Sequence, residues 1–450
     1  MKKKVVFFFP WKEVSGGPTY MASLAVKLSE DLQYDVYYVD YKESLVADKL
    51  SASNVKKIFY SEPFNLKIDE PVTLILPIYS AAHIPELNSK SKILFVNWHN
   101  YCIQALLDSW RLSDNDLQEF LYKVYKTNSV IFIDKTHWIA QNEWVSPLGR
   151  YNFNENYVPV VTTTREIKAK KIIINKKAIN IGVLGRLCKD KIYSVINLLE
   201  HFDKCDIGLE KHLYVIGEGE EAKLLEEFDI KSVNIHMMGT IIGNKLSEFL
   251  ADNVDILFGM GLSILEGAAI MLPSVVIPHN IHYFEIDKYA LLSECSGYAL
   301  GWYDTQIEHL NIKMHTLNDI LDMVYNEGKK IELGQLSYDY MLSNHINNNI
   351  LFQKYLNKTS LSYEEFKKFS IKQGKIKIFG IPVANIRSSF DEKDKYVDLL
   401  GIKNFLTAKC KNETKEFYLL GKRQSIITSK KEDKYYRLYL FGIKIPFLKL

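Results

Sequence analysis

Short apolar runs recur along the first three-quarters of the chain, and each is followed by a polar loop or a stretch with helical period. "KVVFFFP" predicts a buried first strand. "TYMASLAVKLSEDL" follows, with Met21, Leu24, Ala25 and Leu28 at helical spacing. "YDVYYVDY", "VTLILPIY", "KILFVNWHN" and "NSVIFIDKTHW" predict four more strands up to residue 165. Apolar runs of this kind, separated by helices, specify a parallel sheet covered on both faces.

The pattern breaks at "VPVVTTTREIKAKKIIINKKA", where threonines give way to lysines without a helical period. This segment reads as a connector. A second alternating series then begins. "INIGVLGRL", "KHLYVIGEG", "VNIHMMG", "VDILFGMG" and "PSVVIPH" predict strands, while "YSVINLLEHF", "EEAKLLEEF", "KLSEFLADN" and the run after Gly261 predict helices. The expected fold is α/β, with two Rossmann-like doubly wound domains. Ligands in such sheets bind outside the carboxyl ends of the strands. The expected boundaries are 1–165, 166–360 and a tail, 361–450.

The tail has a different rhythm. Gly380, Gly401, Gly421 and Gly442 recur at spacings of 21, 20 and 21, each after two large apolar residues. A period near 20 predicts hairpin or strand–turn units, and hence a small β-repeat module. Charge separates the tail as well. Residues 371–450 hold 18 Lys and Arg against 8 Asp and Glu, a balance of +10, although the whole chain carries only +3. The tail is therefore read either as a solvated basic face or as a site for an anionic partner such as a membrane surface.

With 47% hydrophobic and 25% charged residues, the 450-residue chain has ordinary globular composition. Its five cysteines form no CxxC pair or Cys/His cluster, which predicts a reducing compartment and no structural zinc. No run of about 18 apolar residues occurs, so no membrane span is expected. The opening "MKKKVVFFFPW" has a basic start like a secretory signal, but its apolar core is too short.

Four places carry candidate chemistry. Gly16 and Gly17 precede a helix, where a backbone can approach phosphate closely; a plain tight turn is the other reading. The GxGxxG pattern of dinucleotide binding is absent there. Arg186 and Lys191 follow a strand, as a clamp for a diphosphate or as solvated surface cations. His99 ends an apolar strand and could contact a sugar hydroxyl, handle a proton or serve structure. In "FGMGLSILEGAAIMLP", Gly261 precedes a helix starting near Leu262, and Ser263 and Glu266 share one face of its first turns. That carboxylate can accept the vicinal hydroxyls of a ribose. Ser263-x-x-Glu266 is also a capping-box pattern, in which the glutamate serves a backbone amide.

Taken in order, these motifs resemble a GT-B glycosyltransferase, nearest the retaining glycosyl transferases group 1 (family-4-like) enzymes of bacterial surface polysaccharide synthesis. The resemblance covers roughly residues 5–355. It implies that Gly16 and Gly17 lie against donor phosphate, that Arg186 and Lys191 neutralise a departing diphosphate without a metal, and that Ser263 and the amides after Gly261 and Leu262 meet phosphate. Glu266 matches the second glutamate of the Glu-x7-Glu signature, which contacts the nucleotide ribose, and His99 the histidine near the transferred sugar. Phe258 stands where the first signature glutamate falls. The implied substrates are a UDP- or GDP-linked sugar and a glycan or lipid-linked saccharide, with no separate cofactor. The implied location is cytoplasmic, peripheral to the inner face of the membrane. The rival readings are an inactive GT-B partner protein, a nucleotide-sugar epimerase, and a carbohydrate- or membrane-binding protein acting through the tail. Nucleic acid is not an expected partner, because the basic tail holds no reading motif.

Overall fold

A computed structural model describes residues 2–449, except 12–15, 43, 45, 47–49, 61–65, 110–113, 145–152, 171, 229, 284, 371–374, 379–380, 389–394, 400–401, 412–413, 420–426, 433–434 and 441–442. Two compact units emerge. One comprises Met1–Ile131, Gln141–Asn156 and Phe352–Leu450; the other comprises Phe132–Ala140 and Tyr157–Leu351. The connector from Tyr157 onward thus groups with the second unit, and the chain from Phe352 groups with the first.

The sheet of the first unit contains β1 (Lys3–Phe8), β2 (Tyr34–Asp40), β3 (Lys56–Phe59), β4 (Thr73–Pro77), β5 (Lys92–Asn97) and β6 (Val130–Phe132). Their order is β3-β2-β1-β4-β5-β6, and the strands from β3 through β5 pair in parallel. The run Val5–Phe9 is buried, so the basic start of the chain feeds a core strand. Helix α1 (Gly16–Ser29) buries Met21, Leu24, Ala25 and Leu28, the residues picked out by helical spacing. Aromatic side chains draw the late chain back to this sheet. Phe352 lies 6.0 Å from Phe7, and Phe366 and Phe369 lie 6.2 and 5.5 Å from Phe120 on helix α2 (Asp114–Lys126). Backbone pairing adds to this, since the Ile93 N–H donates to Leu361 O at 3.0 Å.

The second unit repeats the strand order. Its strands are β7 (Ala178–Leu184), β8 (Glu210–Ile216), β9 (Val233–Gly239), β10 (Ile256–Gly259), β11 (Ser274–Val276) and β12 (Ala290–Leu291). They lie as β9-β8-β7-β10-β11-β12, with β12 antiparallel. Helix α3 (Ile192–Lys204) follows β7, helix α4 (Gly243–Asn253) follows β9, and helix α5 (Leu262–Ala269) follows β10. The helix expected over "EEAKLLEEF" is only a short 3-10 turn, Ala222–Glu226. Of its residues Leu225 is buried, so little apolar face is available to stabilise a longer helix.

A buried charge network anchors the connector to this unit. Asp255, just before β10, accepts hydrogen bonds from Lys330 Nζ (2.5 Å), Ile174 N–H (3.1 Å), Asn180 Nδ2 (3.1 Å) and Tyr325 OH (3.2 Å). Lys330 also donates to Ile172 O at 2.9 Å. It begins helix α6 (Lys330–His345). Burial pulls the Lys330 pKa down while Asp255 opposes that shift.

The tail forms an eight-stranded antiparallel sheet in chain order from Lys375 to Lys449. Strand ends pair Ile378 with Ile381, Leu399 with Ile402 and Leu440 with Ile443. Gly380, Gly401, Gly421 and Gly442 lie outside the described residues.

Candidate functional site

In the second unit, three adjacent strands end on short glycine-containing loops. Leu187 N–H donates to Glu218 O, and Gly185 N–H to Ile216 O, both at 3.0 Å. This knits the loop after β7 to the loop after β8. The close approach requires glycine: a Cβ on Gly217, whose φ is +138°, would sit 2.0 Å from Gly185 O. On the other side, a Cβ on Gly185 would first meet the Ser263 hydroxyl, at 4.0 Å. The start of α5 therefore stands beside the loop that carries Arg186 and Lys191.

Gly261 caps α5 with φ +63° and ψ −143°, and no side chain caps this helix. Since Gly261 is the N-cap, Ser263 and Glu266 both lie inside the helix, and the capping-box reading of that pair is wrong. The first amides of α5 carry the partial positive charge of a helix start. Leu262 is exposed there and Ser263 half-buried. Arg186 is exposed, and Lys191 is half-buried at the N-cap of α3. The Cys188 side chain raises the Arg186 pKa further, leaving a permanent cation. Cys188 donates to Asp190 Oδ1 at 2.9 Å. Burial works to raise the Asp190 pKa, but the Cys188 hydrogen bond and the charges of Lys191 and His279 outweigh it and lower the carboxyl below its ordinary range.

Glu266 has a partner that the sequence gave no reason to choose. Arg165 places one guanidinium nitrogen, Nη2, 2.9 Å and 3.1 Å from the two carboxylate oxygens, and its Nη1 donates to Thr163 Oγ1 at 2.7 Å. Both members of the pair are 24% exposed. The detectable signal was an isolated arginine in a connector otherwise cationic through lysine. Asp190 was missed as well; its sequence neighbours show only alternating charge.

Phe258 lies within β10 and is fully buried, edge-on to Tyr289 at 5.8 Å. A glutamate at this position would enter an apolar core. The eight-residue spacing before Glu266 thus leads to packing here.

In the first unit, Gly17 packs on Trp98, and His99 follows it in the chain. A Cβ on Gly17 would lie 2.8 Å from two indole carbons of Trp98, so the start of α1 presses directly on that ring. Around Gly16 there is nothing within 4 Å of the Cβ position. His99 is exposed next to Trp98, and its Nδ1 accepts the Tyr101 N–H at 3.3 Å. In the neutral ring this bond puts the proton on Nε2, so that nitrogen donates. Phe9 and Tyr79 flank Trp98 at ring distances of 4.9 and 5.9 Å. Among the described residues, no group of three or more His, Cys, Asp or Glu side chains could hold a metal ion.

Each of the two units thus carries a Rossmann-like sheet with the same strand order. Solved structures of similar fold include Anabaena HepE in complex with UDP, at 9% identity and TM-score 0.46, covering 79% of this chain and 99% of that one. A glycosyltransferase from Rickettsia africae is similar at 12% identity and TM-score 0.45, covering 82% and 98%. A Staphylococcus aureus TarM variant in complex with fondaparinux, alpha-GlcNAc-glycerol and UDP is similar at 12% identity and TM-score 0.45, covering 80% and 100%. No family model matches the chain, and no curated protein sequence is significantly similar to it.

Proposed function

We propose that the chain is a GT-B glycosyltransferase that moves a sugar from a UDP- or GDP-linked donor to a glycan or lipid-linked saccharide in bacterial surface polysaccharide synthesis, with retention. The observation that carries this reading is the convergence of the Arg186–Lys191 loop with the uncapped start of α5, where Gly185 faces Ser263.

Transfer breaks the bond between the anomeric carbon and the diphosphate oxygen. Positive charge grows on the sugar and negative charge on the leaving group. Arg186 offers a planar fork of donors and Lys191 a point charge to that diphosphate. The Ser263 hydroxyl and the first amides of α5 add donors already fixed by the fold, so little reorganisation is needed as charge develops. Glu266 accepts the ribose hydroxyls. His99 presents its Nε2–H to the transferred sugar, and Gly16 and Gly17 leave room at the start of α1. With fixed cations at the leaving group, the reaction needs no metal. The first unit is then the acceptor side and the second, with Tyr157–Leu351, the donor side; the β-repeat sheet from Lys375 belongs to the chain of the first unit rather than to a third domain from 361.

Donor turnover by the full chain tests this. UDP- and GDP-sugars, each with and without saccharide acceptors, should give nucleotide release that depends on Arg186. Equal turnover by Arg186→Ala would overturn the assignment. The burial of Phe258 in the core favours one second reading, a partner protein that binds donor without transferring it. That protein would bind a nucleotide-sugar and release no nucleotide with any acceptor. A product nucleotide-sugar formed without acceptor would instead mark an epimerase. The +10 balance of residues 371–450 supports attachment to an anionic membrane face in the cytoplasm; deletion of 371–450 should abolish flotation with anionic liposomes.

A further inference from the structure

The connector from Thr162 to Lys170 runs beside helix α5 as a strap. Arg165 holds Glu266, Lys168 Nζ donates to Ala269 O at 3.1 Å, and Ala169 N–H donates to Ile270 O at 2.6 Å. Thr162 N–H donates to His345 O at 2.7 Å, and Lys168 lies 4.4 Å from the centre of the Tyr338 ring. The contacts of Arg165, Lys168 and Ala169 follow α5 from Glu266 to just beyond its last residue, and those with His345 and Tyr338 tie the strap to α6. Arg165 uses a single nitrogen for both oxygens of Glu266, whereas a guanidinium fork normally engages a carboxylate through two parallel bonds. A carboxylate has about four lone-pair sites, so two stay open to further donors. Arg165 Nε is buried and makes no hydrogen bond, so the pair keeps an unused donor as well as unused acceptors.

We infer that Arg165 is a positioning residue of the nucleotide site. It fixes the Glu266 carboxylate so that its open lone pairs accept the two hydroxyls of the donor ribose, and an occupied ribose in turn tightens the strap on α5. The inference rests on the donor-site reading of Glu266. It adds that the connector and the nucleotide share one carboxylate. Binding at one side of that carboxylate then restrains the other, so nucleotide affinity and order in the strap rise together.

The test compares UDP and GDP with their 2′-deoxy analogues by calorimetry on the full chain. Wild type should prefer the ribonucleotide by roughly tenfold or more, the size of a hydrogen bond to a charged group. In Arg165→Met that preference should fall to about twofold or less, while Arg165→Lys, which keeps a cation near Glu266, should recover part of it. Hydrogen exchange of wild-type peptides covering 162–170 should slow when nucleotide is added. An Arg165→Met protein that keeps the full 2′-hydroxyl preference would overturn the inference while leaving the donor site intact, as would unchanged exchange in the strap of nucleotide-bound wild type. If wild type bound neither nucleoside diphosphate, the donor reading itself would be lost and the inference with it. Should Arg165→Met fail to fold, the lysine variant and the wild-type exchange data still decide the matter.

Discussion

In the first unit the strands run out into rings. Phe9 stacks on Trp11 at 5.5 Å and meets Trp98 at 4.9 Å, and Tyr79 stands edge-on to Trp98. In the second unit, strands in the same order run out into glycines and charges: Gly185, Arg186, Gly217, Gly259 and Gly261. Two carboxylates show the difference. Burial lifts the Asp40 carboxyl, at the end of β2, above its ordinary range, although Ser44 and the amides of Tyr41 and Trp11 oppose the shift. Asp190, beside β7, faces the same kind of penalty, yet Cys188, Lys191 and His279 bring it below the ordinary range. One topology thus supports an aromatic cluster at one set of strand ends and a glycine- and cation-rich surface at another. The backbone fixes where strand ends lie, and the side chains placed there fix what can bind.

The largest effect should come from Lys330→Ala. It leaves Asp255 buried without its cation and should cost about 3–5 kcal/mol. Hydrogen exchange should show lost protection in β7, β8 and β10 and retained protection in β1, β4 and β5. A uniform loss across both sheets would show that the units do not unfold separately. Arg186→Ala should lower kcat roughly 10²- to 10³-fold at unchanged melting temperature, since it removes a group that acts on leaving-group charge.

A smaller effect depends on pH. Burial holds the His345 pKa down at about 4, against an ordinary value of 6.5, although the Val160 carbonyl opposes the shift. The unfolded chain therefore takes up this proton first as pH falls. The stability linked to neutral His345 is complete above pH 6.5 and is lost progressively down to about pH 4. Between pH 7.5 and pH 5 urea unfolding of the second unit should lose about 2 kcal/mol from this group. His345→Leu should flatten that slope. The smallest effect should come from Gly17→Ala. It forces the Trp98 indole to move and should cost the first unit about 1 kcal/mol, seen as a lower urea midpoint for that unit.

Element type and order were legible in the sequence because burial on both faces of a parallel sheet writes continuous apolar runs, as in Val5–Phe9 and Ile93–Val96. The start of α5 was legible for a local reason: two glycines within three residues, with Gly261 at positive φ, mark a strand-to-helix turn. The nearness of Gly185 to Ser263 followed from their places after neighbouring strands, β7 and β10.

What the residues alone determined, then, was a pair of doubly wound sheets, the loops that end their strands and a basic tail of a different rhythm. Only the tertiary structure paired Arg165 with Glu266, 101 positions apart. It made Glu266 an ion-pair partner rather than a cap or a free carboxylate, sent position 258 into the core and brought Phe366 back onto Phe120. The reason is one of range. Burial period and glycine torsions act within a few residues of the chain, whereas ion pairs and ring contacts form between surfaces that meet only after the sheets have assembled.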